Sequence, residues 1–163
     1  MTWIQLARDL NNLLTLFALP LAILAFLAIL YAQRHRRHHQ QEDNYRRISS
    51  EYVDFLKLVL ANPDLKLLRK GLPDQPLSDE QHERKLALFN ILISLFERAY
   101  LLVFEERMNR QTRRLWLSLE DYMREWCRRH DFRQALPELL QGEDEDFQIY
   151  LQKIAEAEAE KSE

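Results

Sequence analysis

The chain has 163 residues, 47% of them hydrophobic, a formal net charge of −3 at pH 7 and a mean hydropathy of −0.44. That length holds one membrane anchor and one domain of about 120 residues, a normal size for a single core, and the negative hydropathy argues against a multi-span transporter. The slight negative charge gives no global attraction to nucleic acid, and a single cysteine, Cys127, excludes an internal disulfide framework.

Residues 1–12 read as a short external N-terminus. From Leu13 to Ala32 no charged residue occurs, and about 20 residues at about 1.5 Å rise span the roughly 30 Å hydrocarbon core of a bilayer. A cleaved export signal would need a positive region before the apolar run. Only Arg8 stands there, countered by Asp9, while Arg34, Arg36 and Arg37 crowd the far end. Residues 13–32 are therefore expected to form a transmembrane helix. The basic cluster follows the span, which places the N-terminus outside and the rest of the chain in the cytoplasm. Trp3 and Tyr31 bracket the run as membrane-interface anchors. Pro20 lacks the N–H that the carbonyl of Leu16 would use and marks the expected place of a helix kink, which membrane helices tolerate.

Residues 33–44 read as a basic juxtamembrane stalk, with Arg34, Arg36 and Arg37 as a collar contacting anionic lipid headgroups. His35 and His39 share a helix face, but the neighbouring arginines repel a metal ion, and none is expected. Between Leu21 and Asn62 there is neither glycine nor proline. Tyr45, Ile48, Tyr52, Phe55, Leu56 and Val59 recur there at three- and four-residue steps. The membrane helix is thus expected to run into the first helix of a cytoplasmic bundle over residues 45–154, stopping at Asn62 before Pro63.

The bundle should be all-α, because the chain has only two glycines, Gly71 and Gly142, and is rich in strong helix formers. Residues 70–81 form the one clear loop, and Ser78 with Gln81 reads as a capping box opening a helix from Asp79 to about Asn109. The stretch from Leu86 to Phe104 is nearly long enough for a second span. Glu97 and Arg98 sit inside it, however, at on the order of 3 kcal/mol each for insertion. Asn90, Ser94, Glu97 and Arg98 gather in one sector, as the polar edge of a central bundle helix. Glu97 and Arg98 are read as a solvated or interhelical salt link rather than a catalytic pair.

Thr112 is expected to cap the next helix, running to about His130, with Leu115, Trp116, Leu119, Tyr122, Met123, Trp126 and Cys127 as its apolar stripe. Eight arginines and four acids lie between Arg107 and Arg133 with three tryptophan or tyrosine rings among them. As a linear pattern this resembles a nucleic-acid surface. As a helix it buries the rings, so no nucleic-acid partner is expected. A short helix over 132–140, interrupted by Pro137, and a last helix capped by Asp144 complete the bundle, and residues 155–163 read as an acidic, frayed tail.

No catalytic constellation stands out. There is no glycine-rich phosphate loop and no HExxH, and Cys127 lies on the apolar stripe as a small hydrophobe. The succession "EYVDFLKLVLANPDL" (51–65), "NILISLFERAY" (90–100), Trp116, Tyr122, "WC" at 126, "FR" at 132 and "DFQIYL" (146–151) resembles an uncharacterised bacterial family of single-pass, membrane-anchored helical domain proteins. The likeness covers most of the chain after Gln41. It implies that architecture and a bacterial inner membrane, and no activity, cofactor or site residue. The expected function is a membrane-anchored cytoplasmic interaction module, a scaffold, regulator or sensor arm without catalysis. Its partners would be anionic lipid and another protein or its own copies. Two other readings are a membrane-active effector or small channel component, and a membrane-surface enzyme.

Overall fold

In the computed structural model, residues 3–68 and 76–161 are described, and within the first helix the side chains of 20–31 and 42–61. The described residues are all helical or connecting. Helix α1 is Trp3–Ala61, followed by a short 3-10 turn at Pro63–Leu65, then α2 Asp79–Val103, α3 Arg110–Cys127, α4 His130–Leu139 and α5 Glu145–Glu160. The chain divides into two compact units, Met1–Gln40 and Gln41–Glu163, taken in turn.

In the first unit α1 is helical on both sides of Pro20. Every residue from 20 to 31 is exposed, including Leu21 at 67% and Phe26 at 61%. At about 100° per residue, twelve consecutive positions cover all directions around a helix axis, so this stretch has no buried face. The apolar helix among the described side chains is Pro20–Tyr31, shorter than a span; the side chains of 13–19 and Ala32 lie outside the described residues. So do those of Trp3, Arg34, Arg36 and Arg37. Tyr31 is 73% exposed.

The second unit has one core. Ile48, Tyr52, Phe55 and Val59 of α1 are buried at steps of four, three and four, the signature of a helix laying one stripe on its neighbours. They share one core with Phe89, Leu92, Ile93 and Phe96 of α2, Trp116, Met123 and Trp126 of α3, Phe132 and Leu136 of α4, and Phe147, Leu151 and Ile154 of α5. Aromatic edges knit the helices: Phe55 to Trp126 at 5.4 Å and Phe89 to Phe132 at 5.0 Å between ring centroids, with Tyr52 stacked on Tyr122 at 4.1 Å. Each large side chain so buried contributes about 1.5–3 kcal/mol relative to exposure. Helix α2 is long and apolar enough to cross a membrane, by length and composition. In this fold Phe89, Leu92, Ile93 and Phe96 make it the middle of the core.

Caps set the boundaries. Ser78 Oγ accepts from the Gln81 N–H while Gln81 returns the bond to the Ser78 N–H, closing the capping box. Helix α2 ends at Val103, short of Asn109, because Phe104 turns extended. The cap of α3 is Asn109 and not Thr112: the Asn109 side chain accepts from the N–H groups of Gln111 and Thr112 at 2.9 Å each. Thr112 is instead buried. Pro137 lies inside α4 and does not break it, the helix running on to Leu139. Asp144 caps α5 by accepting from the Phe147 N–H at 3.0 Å. That helix continues through the segment expected to fray, as far as Glu160, because Ala155 and Glu158 are buried against the bundle.

Candidate functional site

Asn90, Ser94 and Arg98 follow one another at four-residue steps and line one side of a groove between α1 and α2, about 480 Å³ in volume. Its floor is apolar, made by Phe55, Leu58, Ile91 and Leu95, and its far rim carries Glu51 and Asp54. Leu58 and Ile91 remain 45% and 46% exposed. Arg98 Nη1 donates to Glu51 Oε2 at 2.8 Å, and Glu51 Oε1 accepts from Arg47 Nε at 3.1 Å. The link between Arg98 and α1 is therefore interhelical and partly solvated, and such pairs contribute little net stability.

Glu97 goes elsewhere. One position earlier on the helix turns it about 100° away from Arg98, and its Oε1 accepts the Asp144 N–H at 2.6 Å, at the start of α5. Partial burial and the neighbouring Glu97 carboxyl push Glu143 up to about 7. Glu97 and Arg98, adjacent in sequence, thus serve different elements and do not form one chemical pair.

Sequence reasoning missed a polar network joining α3 to α5. Trp116 Nε1 donates to the Tyr150 hydroxyl at 3.0 Å, which donates to Glu120 Oε2 at 2.6 Å. Arg124 binds both Glu120 and Glu158, the latter at 3.2 Å, and Arg128 and Lys161 reach Glu158 at 3.0 and 2.7 Å. Lys161, with Arg128 and Arg124, holds the Glu158 carboxyl at about 2, against the opposing effect of its burial. Burial and the Glu120 carboxylate raise the Tyr150 hydroxyl. Arg124 four residues after Glu120 was a visible local signal. Glu158, more than thirty residues away, gave none.

A second cluster ties the start of α4 to α2 and to the turn after α1. Arg129 forks onto both oxygens of Asp131 and donates through Nη1 to the Leu67 carbonyl at 2.7 Å, while Lys85 stands 3.5 Å from Asp131. Burial pushes the Asp131 carboxyl up, but Arg129 and Lys85 outweigh it and hold it low. Cys127 is fully buried, and that burial, with Glu158 nearby, pushes its thiol up to about 12. A thiol in this state is a poor nucleophile at neutral pH. No set of three metal-ligating side chains occurs among the described residues.

A further recess of about 650 Å³ lies on α3, lined by Arg110, Gln111, Arg114, Leu115 and Ser118. Taken together, the exposed features are an apolar groove with a rim of both charge signs and a cationic recess. These are surfaces suited to binding. Comparison with known proteins finds no matching family model, no matching curated protein and no matching solved structure.

Proposed function

We propose that the chain is a membrane-anchored protein-interaction module, a scaffold, regulator or sensor arm whose helical bundle lies on the cytoplasmic side of a bacterial inner membrane. The observation that carries the reading is the stretch Pro20–Tyr31, apolar in sequence and exposed at every position. A helix hydrophobic all round is a membrane or deep-core helix, and the uncharged run extends in sequence from Leu13 to Ala32. Arg34, Arg36 and Arg37 follow it as headgroup contacts, with Trp3 and Tyr31 as interface anchors. The groove between α1 and α2 is the surface offered to another protein or a second copy, with Ile91 and Leu58 as its apolar contacts. No cofactor enters this reading.

The test is a cysteine-accessibility map in intact cells, with single cysteines at Thr2, Gly71 and Ser162 in a Cys127→Ser background. Labelling of the first position alone by an impermeant reagent is the expected result. Co-purification of a partner, or cross-linking between copies, should then be lost in Ile91→Arg.

A second reading rests on α2, which satisfies the length and apolarity of a span. Labelling at Ser162 with none at Gly71 would place α2 across the membrane and favour a membrane-active effector or channel component instead.

A further inference from the structure

Arg110, Arg113 and Arg114 occupy the first two turns of α3 and Arg107 precedes them; all four are exposed. Elsewhere Arg84, Arg98, Arg124, Arg128 and Arg129 each hold a carboxylate. None of the four arginines at the start of α3 does so among the described residues. Their position is also unfavourable for the helix itself, because the positive end of the helix dipole repels cations. Neither the described carboxylates nor the helix dipole gives the cluster a stabilising role.

The cluster has a shape. Arg110 and Arg114, one turn apart, border the 650 Å³ recess with Gln111 and Ser118; the Ser118 hydroxyl donates to the Arg114 carbonyl at 3.2 Å and the Gln111 amide to Glu42, so the guanidinium groups are the donors left to the recess. The backbone N–H groups of Gln111 and Thr112 are taken by the Asn109 cap, leaving the side chains to meet any anion. Guanidinium groups match phosphate oxygens in bidentate fashion. Leu101 and Leu102, at the end of α2, are 58% and 41% exposed, and Leu117 on α3 is 45% exposed. The opposing charges are Glu105 and Glu106 in the turn before Arg107, and Glu42, which is engaged by Gln111.

The chain path says where such a surface operates. Gln111 Nε2 donates to Glu42 Oε1 at 2.5 Å and Asn44 Nδ2 donates to the Leu102 carbonyl at 3.3 Å. The α2–α3 turn is thereby held against residues 42–44. Glu42 is ten residues beyond Ala32 in sequence, a tether of at most about 35 Å even when fully extended.

We propose that Arg107, Arg110, Arg113 and Arg114 form a docking surface for the phosphates of anionic phospholipid headgroups, bringing the bundle down onto the bilayer that anchors it. The proposal rests on the membrane-anchored reading. It adds a second lipid contact, remote in sequence from the arginines at 34, 36 and 37. Attraction of this kind weakens as salt shortens the screening length.

The experiment is hydrogen–deuterium exchange on the full chain in lipid nanodiscs of neutral phosphatidylcholine, and in discs with about one lipid in three replaced by phosphatidylglycerol to supply the negative surface potential. Amides of 104–118 should exchange several-fold more slowly in the anionic discs, and high salt should reverse the effect. The Arg110→Glu/Arg114→Glu variant should lose the protection while keeping or raising its Tm. Equal exchange in both lipids would overturn the proposal. Protection brought by RNA or an acidic protein and not by phosphatidylglycerol would overturn it equally. Failure of the chain to enter nanodiscs counts against the anchor. Co-sedimentation of that soluble chain with anionic and neutral vesicles would then decide the docking surface separately.

Discussion

Arg124 Nη1 donates to Glu158 Oε1 across 3.2 Å, from α3 to the final turn of α5, and only 1% of the Glu158 side chain is exposed. The contact explains why α5 stays helical to Glu160 although its closing residues alternate alanine and glutamate. A buried carboxylate is tolerated when cations and hydrogen bonds meet both of its oxygens. Here Arg124 and Lys161 take one oxygen and Arg128 the other.

Replacing Glu158 by glutamine should cost about 2 kcal/mol, the size of hydrogen bonds to charged groups. The cost should depend on pH with a defined sign. The folded carboxyl sits at about 2 against an ordinary 4.5, so its contribution is full above about 4.5 and is lost as pH falls towards 2. Denaturant melts of both proteins at pH 7 and pH 2.5 check this: the gap between them should shrink at the lower pH. A constant gap would mean that the ion cluster does not act on stability through its charge.

The Glu97–Glu143 contact predicts the opposite slope. Glu143 is raised to about 7, so the folded state binds more proton than the unfolded chain between about 4.5 and 7. Stability then falls as pH rises through that window. Glu143→Gln should raise Tm at pH 8 and leave it nearly unchanged at pH 4.5. An equal change at the two pH values would show that the fold does not raise Glu143.

Trp126 Nε1 donates to the Tyr52 hydroxyl at 3.0 Å inside the core. Tyr52→Phe keeps the ring stacked near Tyr122 but leaves the indole N–H without its acceptor. The expected cost is about 1–3 kcal/mol, the penalty for an unsatisfied buried donor. Chemical denaturation of the full chain in detergent checks it, and a loss below about 0.5 kcal/mol would show that another acceptor replaces the hydroxyl.

Cys127 should resist a water-soluble thiol reagent in the folded protein at pH 8 and react at once in denaturant. Burial raises its thiol to about 12 and excludes the reagent, and the thiolate is the reactive form. Fast labelling of the native chain would place Cys127 at a surface.

Local patterns made much of this architecture legible. Steps of three and four residues located the buried stripe of α1, and Ser78, Gln81 and Asp144 announced two helix starts, because periodicity and capping depend only on neighbours along the chain. The cap of α3 was missed because Asn109 and Thr112 both offer a suitable side chain, and only the turn after Phe104 selects between them.

Composition and linear order, by themselves, determined the helical class, the uncharged apolar run and the absence of a disulfide framework. Tertiary structure alone decided that Glu97 and Arg98 part company, that Glu158 is buried, and that the four arginines at the start of α3 hold no carboxylate among the described residues. The reason is physical: helix propensity and apolar periodicity are local energies, whereas the partner of a charge is set by which helices pack together. Arg124 and Glu158, separated by more than thirty residues, meet only because the core brings α3 and α5 side by side.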